Sequence, residues 1–457
     1  MSRLISKIME YSDENEMLPE SGLVLICVSG GADSMCLLEA MRHISYEFDF
    51  DIAVAHYNHE LRGEESDRDE TFVMEICEAH GIPFYSGRGD VANFARLHGI
   101  GIEEAARDMR YEFFFDTAEK TGAERIATAH TMDDNAETVI INLVRGAGAN
   151  GMSGIPPVRD NVIRPLLKTS RDEVMDFIAE REILYVEDST NSLDIYTRNK
   201  IRNSIIPLFK ELNPRFNEAA STAAELFRAD EDFISDIADL FIVECCIGLT
   251  ADAKDLAVLP FSVSSRVIRK LYGGNLSFNH VKDVLALCES DNPSASLSLP
   301  GMSVFREYER VVFDTKPRSI EDEFAPVYPT IGNSFIILGL GLKITCKSAI
   351  YDDNMCKSLI NTSFTTFLFK SVDICGKIAV RSRREGDLVK LNDQTGTKTL
   401  KKLFIEKRIP VRKRNLIPVI SDDAGVLGIY KIGVGDRARP EPGDPVLILV
   451  FEEIGQQ

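Results

Sequence analysis

The stretch LICVSGGADSMCLL, Leu25 to Leu38, constrains the chain more than any other. An apolar run stops at Ser29, two glycines and an Asp-Ser pair follow, and an apolar helical pattern resumes at once. A strand that turns straight into a helix is the opening unit of a parallel sheet with crossover helices. The alternation continues through the first half of the chain. Candidate strands at Leu23–Val28, Ile52–His56, Pro83–Ser86, Arg125–Ala129 and Val162–Leu166 are separated by helical patterns at Ser34–Arg42, Asp67–His80, Ile102–Lys120, Asp133–Val144 and Ser170–Arg181. These signals predict an α/β domain with a parallel sheet over residues 1–212.

From about Asn213 the pattern turns helical and acidic, as in ELFRADEDFISDIADLF, and strand signals return only near Ser303. We expect a mainly helical middle domain at 213–320, with the change of domain near Pro207–Pro214, and then a linker at 321–373. Residues 374–457 hold short β-type runs, KIAVRSR, LIPVISD, VLGIYKIG and PVLILVF, and one basic helical stretch, TKTLKKLFIEKR. They predict a small α+β domain. With 457 residues and 44% hydrophobic content, the chain is long enough to bury several cores.

Charge and cysteine usage narrow the class. The opening MSRLISKIMEYSDENEM carries charges throughout, and no later run approaches the roughly 18 apolar residues of a membrane span. A cytoplasmic protein without a membrane partner is expected. Nine cysteines at irregular spacings, with no C-x-x-C, suit reduced buried thiols, and the adjacent Cys245 and Cys246 are expected in the core on a helix. The net charge of −20 excludes a protein that coats nucleic acid indiscriminately. It leaves room for a local basic patch: between Lys377 and Asn415 thirteen basic residues face four acidic ones.

The Gly-Gly corner sits where an open parallel sheet binds its ligands, beyond the carboxyl end of a strand. Gly30 and Gly31 permit positive φ and let backbone N–H groups approach an anion with no Cβ in the way. Ser29 and Ser34 offer hydroxyl donors, and the following helix points the positive end of its dipole at the site. A pyrophosphate group is the expected ligand, and a plain Gly-rich turn with a helix cap is the bland alternative. Neither G-x-x-x-x-G-K-[ST] nor G-x-G-x-x-G is present, which lowers the weight of ordinary kinase and dehydrogenase chemistry. Asp33 is out of place beside phosphates unless a cation intervenes, so it is a candidate Mg²⁺ contact.

The loop S-G-G-x-D-S resembles that of the N-type ATP pyrophosphatases, the PP-loop enzymes, which cut ATP to AMP and pyrophosphate while adenylating a substrate. Four further stretches, AHYNHELRG, EEAARDMRYEFF, ATAHTMDDNAETVIINLVRGAG and EDSTNSLDIYTRNKIRN, occur in an order that resembles the bacterial tRNA(Ile)-lysidine synthases. The resemblance extends through LPGMSVFREYERVVF and GTKTLKKLFIEKRIPVRKRNLIPVI and so covers nearly the whole chain. It implies a ligase that uses ATP and Mg²⁺ to join the ε-amine of free L-lysine to C2 of the wobble cytidine of tRNA(Ile) with a CAU anticodon. AMP and pyrophosphate would be released, and decoding would change from AUG to AUA. A homodimer is compatible with this and not required by it.

Residue by residue, the resemblance implies ATP binding by Ser29, Gly30, Gly31, Ala32, Asp33, Ser34, His56 and His130. It implies Asp33, Arg110, Asp134 and Glu137 as catalytic residues, with Asp134, Glu137 and Arg110 receiving lysine. Asp134 and Glu137 are three apart and share a helix face, and a carboxylate there could hold an ammonium and then take its proton. The resemblance places Asp133 with His130 at the same corner, and the bland alternative for it is a first-turn acid suiting the helix dipole. Arg107 could be a surface partner of Glu103, Glu104 or Asp108, and His56 with His59 is a weak metal pattern. Arg62, Asp188, Thr190 and Asn191 are further polar candidates, either for substrate contact or for loop capping. Contact with tRNA is expected from Arg198, Arg202, Lys398, Lys401, Lys402, Lys407, Arg408, Arg412 and Arg414.

Three rivals remain at this level. A tRNA thiolase would keep the fold and the adenylation, but its relatives call for paired C-x-x-C cysteines, which are absent. A small-molecule amide synthetase of the GMP- or NAD-forming kind has no evident use for a basic C-terminal domain. A nucleotide-regulated RNA-binding protein would not need Asp33, Ser34, Asp134 and Glu137 together.

Overall fold

The computed structural model describes residues 2–60, 63–187, 197–315, 323–352, 364–392 and 396–454. Arg62, Asp188, Thr190 and Asn191 lie outside the described residues. The chain divides into two compact units, Met1–Phe233 and Ile234–Gln457.

In the first unit α1 (Arg3–Glu14) precedes β1 (Gly22–Cys27), α2 (Ala32–Ser45), β2 (Phe50–Asn58), α3 (Glu64–His80) and β3 (Phe84–Arg88). Then come α4 (Val91–His98), α5 (Ile102–Thr121), β4 (Arg125–Ala127), α6 (Met132–Val144), α7 (Ala149–Met152), β5 (Val158–Arg159), β6 (Val162–Ile163) and α8 (Arg171–Arg181). The strands form one sheet in the order β3-β2-β1-β4-β6-β5, parallel except for the terminal hairpin of β5 and β6. β1 is buried on both faces, as the near-continuous apolar run LVLIC requires of a central parallel strand. One side packs Val24 and Ile26 against α1, α2 and α8, and the other packs Leu25 and Cys27 against Phe114 and Ala118 of α5. α1 and α4 carry no signal read from the sequence, and α2 starts two residues before the expected Ser34.

The remaining helices of this unit are α9 (Thr197–Lys200), a π-helical turn (Ile201–Ile205), α10 (Ile206–Leu212) and the first part of α11 (Phe216–Cys245). The change of unit falls inside α11, beyond the Pro207–Pro214 boundary expected from composition. The reason is packing. Ala220 and Phe216 join Ala136, Ile140, Ile201 and Ile206 in a small core, whereas Ile234, Ile237 and Ala238 belong to the core of the second unit.

The second unit opens with β7 (Cys246–Ile247), β8 (Thr250–Asp252) and three helices, α12 (Ala253–Val258), α13 (Phe261–Tyr272) and α14 (Phe278–Glu289). These helices back a five-stranded sheet, β7-β8-β11-β10-β9, with β9 at Ser296–Leu299, β10 at Met302–Glu307 and β11 at Arg310–Asp314. The hairpin of β7 and β8 corrects two expectations. A strand pair precedes Ser303, and Cys246 opens a strand while Cys245 ends α11 exposed. The segment 321–373, expected as a linker, holds β12 (Ser334–Ile337), β13 (Leu342–Ile350) and β14 (Thr366–Lys370). All three belong to one sheet, β12-β13-β21-β14, with β21 (Pro445–Glu453) between β13 and β14. Its long-range pairing leaves no local signal beyond alternation.

The basic segment follows: β15 (Ala379–Arg381), β16 (Leu388–Val389), β17 (Lys398–Thr399), α15 (Leu400–Glu406), β18 (Val419–Asp422), β19 (Gly425–Ile429) and β20 (Gly433–Val434). Three of its arginines serve the fold. Arg412 pairs with Glu307 and, at 2.6 Å, with Asp314, and lies over the Phe305 ring. Arg414 is buried and donates to the Ile409 carbonyl at 2.9 Å and the Tyr308 hydroxyl at 3.2 Å, and Arg408 pairs with Glu309. The hairpin of β10 and β11, with its acids, thereby clamps the segment after α15. Arg412 and Arg414, both expected at tRNA, thus also hold this segment to the hairpin. Lys398 pairs with Glu406 at 2.7 Å, while Lys401, Lys402 and Lys407 stay exposed.

Removing Arg412 would leave the nearly buried Glu307 carboxylate without its main counter-charge. Arg412→Ala is expected to destabilise the second unit by about 3 kcal/mol, read as an earlier urea transition of the full chain. Arg412→Ala and Lys401→Ala should separate cleanly, the latter leaving that transition unmoved.

Candidate active site

The strand order reverses at β1, with β2 on one side and β4 on the other. A crevice forms outside the carboxyl ends of strands at such a point. The loops after β1 and β4 both open there, so residues about a hundred positions apart are neighbours by topology.

After β1, Gly30 has φ +92, a conformation that L side chains rarely adopt, and its carbonyl takes the Val186 N–H at 3.0 Å. Gly31 is the N-cap of α2 and no side chain caps that helix. Among the described residues its first N–H groups have no side-chain partner, the arrangement that receives an anion. Ser34 is spent inward: it donates to the Gly31 carbonyl at 2.8 Å and accepts from the Ser29 N–H at 3.2 Å. Ser29 is exposed, with its hydroxyl 3.2 Å from that of Ser34. His56 is buried, and its Nδ1 meets the Val28 carbonyl at 2.9 Å, so it braces the base of the loop. Burial holds its pKa below the ordinary histidine range.

After β4, Thr131 and Asp134 form a capping box that starts α6. Asp134 Oδ2 accepts from the Thr131 N–H at 2.9 Å and hydroxyl at 3.0 Å. Burial alone would raise its pKa; His130, the Thr131 N–H, Arg202 and Arg198 outweigh it and hold the carboxyl below the usual range. One turn on, Glu137 is 1% exposed, and burial raises its pKa although Arg202 opposes the rise. Arg202 Nε lies 2.5 Å from Glu137 Oε1, and Arg198 Nε lies 3.1 Å from Oε2. Arg198 and Arg202 thus meet the two acids within this unit. His130 sits at the same corner with Nδ1 3.0 Å from Thr128 Oγ1, and burial pushes its pKa well down.

Asp133 has a different task. It accepts from the Arg171 backbone N–H at 2.9 Å and from Asn217 Nδ2 at 2.7 Å, and so tethers α8 and α11 to α6. These contacts reach other helices and were not among the readings made from the sequence. Arg171 itself ion-pairs with Asp33, whose pKa burial raises and Arg171 lowers. Arg171 was not singled out from the sequence. The available signal was a cation in the first turn of a helix, against the dipole, inside the Ser170–Glu173 capping box.

Arg110 is half-buried on α5 beside Tyr111, 5.9 Å from that ring's centroid, while Arg107 stacks on the same ring at 5.2 Å. Burial lowers the pKa of Arg110, and Cys27 at the end of β1 is among the groups that act on it. Among the described residues Arg110 makes no ion pair, which leaves a positive group at the corner for an anionic ligand. No group of three or more candidate metal ligands occurs among the described residues. Asp33 would therefore have to share a cation with a ligand's own oxygens, the usual manner for Mg²⁺ at phosphates. Among the described residues, no helix is long and apolar enough to cross a membrane.

Residues 3–209 match the family described as PP-loop domain, and residues 378–449 match the family described as TilS substrate C-terminal domain. A protein of Clostridioides difficile named tRNA(Ile)-lysidine synthase is 31% identical over 448 residues, covering 94% of this chain and 95% of its own length. Relatives with the same name in Caldanaerobacter subterraneus (30% identical, 98% and 97% covered) and Geobacillus kaustophilus (32% identical, 92% and 93% covered) align as fully.

The Asp133 contacts generate a test. Asp133→Ala removes an acceptor at the start of α8 and should destabilise the first unit by about 1–2 kcal/mol, seen by denaturant titration with circular dichroism.

Proposed function

This chain belongs to the tRNA(Ile)-lysidine synthase family, and from that premise we propose how its residues divide the work. The reading is that the enzyme joins the ε-amine of free lysine to C2 of the wobble cytidine of tRNA(Ile) with a CAU anticodon. The observation that supports it best is the meeting of two features across one switch point: the uncapped start of α2 after β1, and the acid pair Asp134 and Glu137 after β4.

In the first step the cytidine C2 oxygen attacks the α-phosphorus of ATP, and the bond to the β-phosphate oxygen breaks. Pyrophosphate leaves into the N–H groups at Gly30–Asp33 and the Ser29 hydroxyl, which favour the charge that develops on it. Mg²⁺ bound at Asp33 would neutralise part of that charge. Arg110 supplies a fixed positive group for the phosphates or for the lysine carboxylate.

In the second step the lysine amine attacks C2, and the C2–O bond breaks to release AMP. The amine's ordinary pKa of about 10.4 keeps it protonated at neutral pH. Asp134, held ionised, suits the anchoring of the ammonium, and Glu137, with its raised proton affinity, suits removal of the proton. Of the C-terminal residues expected at tRNA, Lys401, Lys402 and Lys407 on and after α15 are exposed and make no ion pair among the described residues, which supports contact with tRNA phosphates.

The test is to incubate the protein with ATP, Mg²⁺, labelled lysine and unmodified tRNA(Ile), digest the RNA and weigh its nucleosides. A lysine-dependent mass at the wobble cytidine, with AMP formed in step, is expected. Unmodified RNA under conditions where a known synthase works would refute the reading. Glu137→Gln should lower lysine transfer by about a hundredfold or more while tRNA binding, followed by filter retention, stays within about twofold of the parent.

A further inference from the structure

The acid pair is already full. Arg202 donates Nε to Glu137 Oε1 at 2.5 Å and Nη2 to Glu137 Oε2 at 3.2 Å, and Nη2 also reaches Asp134 Oδ1 at 3.1 Å. Arg198 adds its contact to Glu137 Oε2, and Thr131 takes Asp134 Oδ2 twice. All four carboxylate oxygens are engaged by the chain's own donors. An ammonium has three N–H donors and no acceptor, so an incoming amine needs the same oxygens.

Arg202 is also built to leave. It occupies an exposed position on the π-helical turn Ile201–Ile205, between α9 and α10. Such turns are rare and concentrate at functional sites, where the extra residue per turn re-aims a side chain. Arg198 is held independently, its Nη2 donating to Thr138 Oγ1 at 2.9 Å, so a counter-charge to Glu137 persists when Arg202 withdraws.

We propose that Arg202 is an internal stand-in for the substrate ammonium: it occupies Asp134 and Glu137 while the site is empty and withdraws when lysine binds. This rests on the reading that these two acids receive the lysine amine. The device makes binding a competition between cations. A bare alkylamine, which offers only the ammonium, loses to a guanidinium tethered at high local concentration. Lysine, which adds contacts through its own carboxylate and α-amine, wins. Arg202 is thereby a specificity-determining residue.

The experiment is calorimetric titration of lysine, and separately of n-butylamine, into the full chain with Mg²⁺ and a non-hydrolysable ATP analogue. Arg202→Met should tighten lysine binding by about tenfold or more, the change expected when a state that closes about nine sites in ten is abolished. It should also make n-butylamine binding measurable. Arg202→Lys keeps a tethered cation and should stay near the wild-type affinity. Weaker or unchanged lysine binding by Arg202→Met that melts as wild type does would overturn the proposal. Should Arg202→Met not fold, the wild-type Arg202 Nε–H resonance decides, assigned by its loss in Arg202→Lys. Lysine addition should shift it to a solvent-exchanging position, and an unmoved resonance would contradict withdrawal. Wild-type protein that binds no lysine at all would instead remove the underlying reading of the acid pair.

Discussion

The parallel pairing of β1 with β2 on one side and β4 on the other is the constraint on which the site depends. It turns both following loops to the same end of the sheet and leaves a crevice between them. Because β1 is buried on both faces, its position is fixed by the cores on either side. The Gly30 conformation and the uncapped start of α2 follow from the need to turn from that strand into a helix within a few residues. Residues that meet there come from segments near positions 30, 135, 171 and 200, which nothing local would bring together.

Charge balance is the second organising element. Asp33 is matched by Arg171, and Asp134 with Glu137 by Arg202 and Arg198. Buried carboxylates without such partners would protonate or destabilise the fold. Arg110 breaks the pattern, since it has no carboxylate partner among the described residues, and it leaves a positive charge unbalanced beside Cys27 at the end of β1. The two acids of α6 are driven apart in proton affinity by unequal surroundings. Burial raises both; at Asp134 it is outweighed by His130, the Thr131 N–H and the two arginines, whereas at Glu137 it prevails over Arg202 and Arg198. That divergence is what the proposed division of labour between the two carboxylates rests on.

Much of this was legible because it is local. The apolar run into SGGADS, the helical spacing of Asp134 and Glu137, and the alternation of strands and helices all lie within short windows. The second task of the basic segment was not legible. Thirteen basic residues in one segment suggested a phosphate surface, and the folded chain also sets Arg412 against acids of β10 and β11 and Arg414 against the Tyr308 hydroxyl between them, about a hundred positions away. Arg202 was likewise expected at tRNA, and only the folded chain brings it to Glu137. β13 and β14 escaped notice because the strand between them, β21, is the last element of the chain. In each case the missing information was a non-local pairing, which composition and periodicity do not carry.

The central claim is that the crevice activates the cytidine C2 oxygen as an AMP ester before the amine arrives. It is tested most directly by following that oxygen. Transfer RNA carrying ¹⁸O at C2 of the wobble cytidine would be turned over with ATP, Mg²⁺ and lysine, and the released nucleotide weighed. The account predicts AMP bearing one ¹⁸O for each lysine incorporated; unlabelled AMP, or ADP in its place, would contradict it.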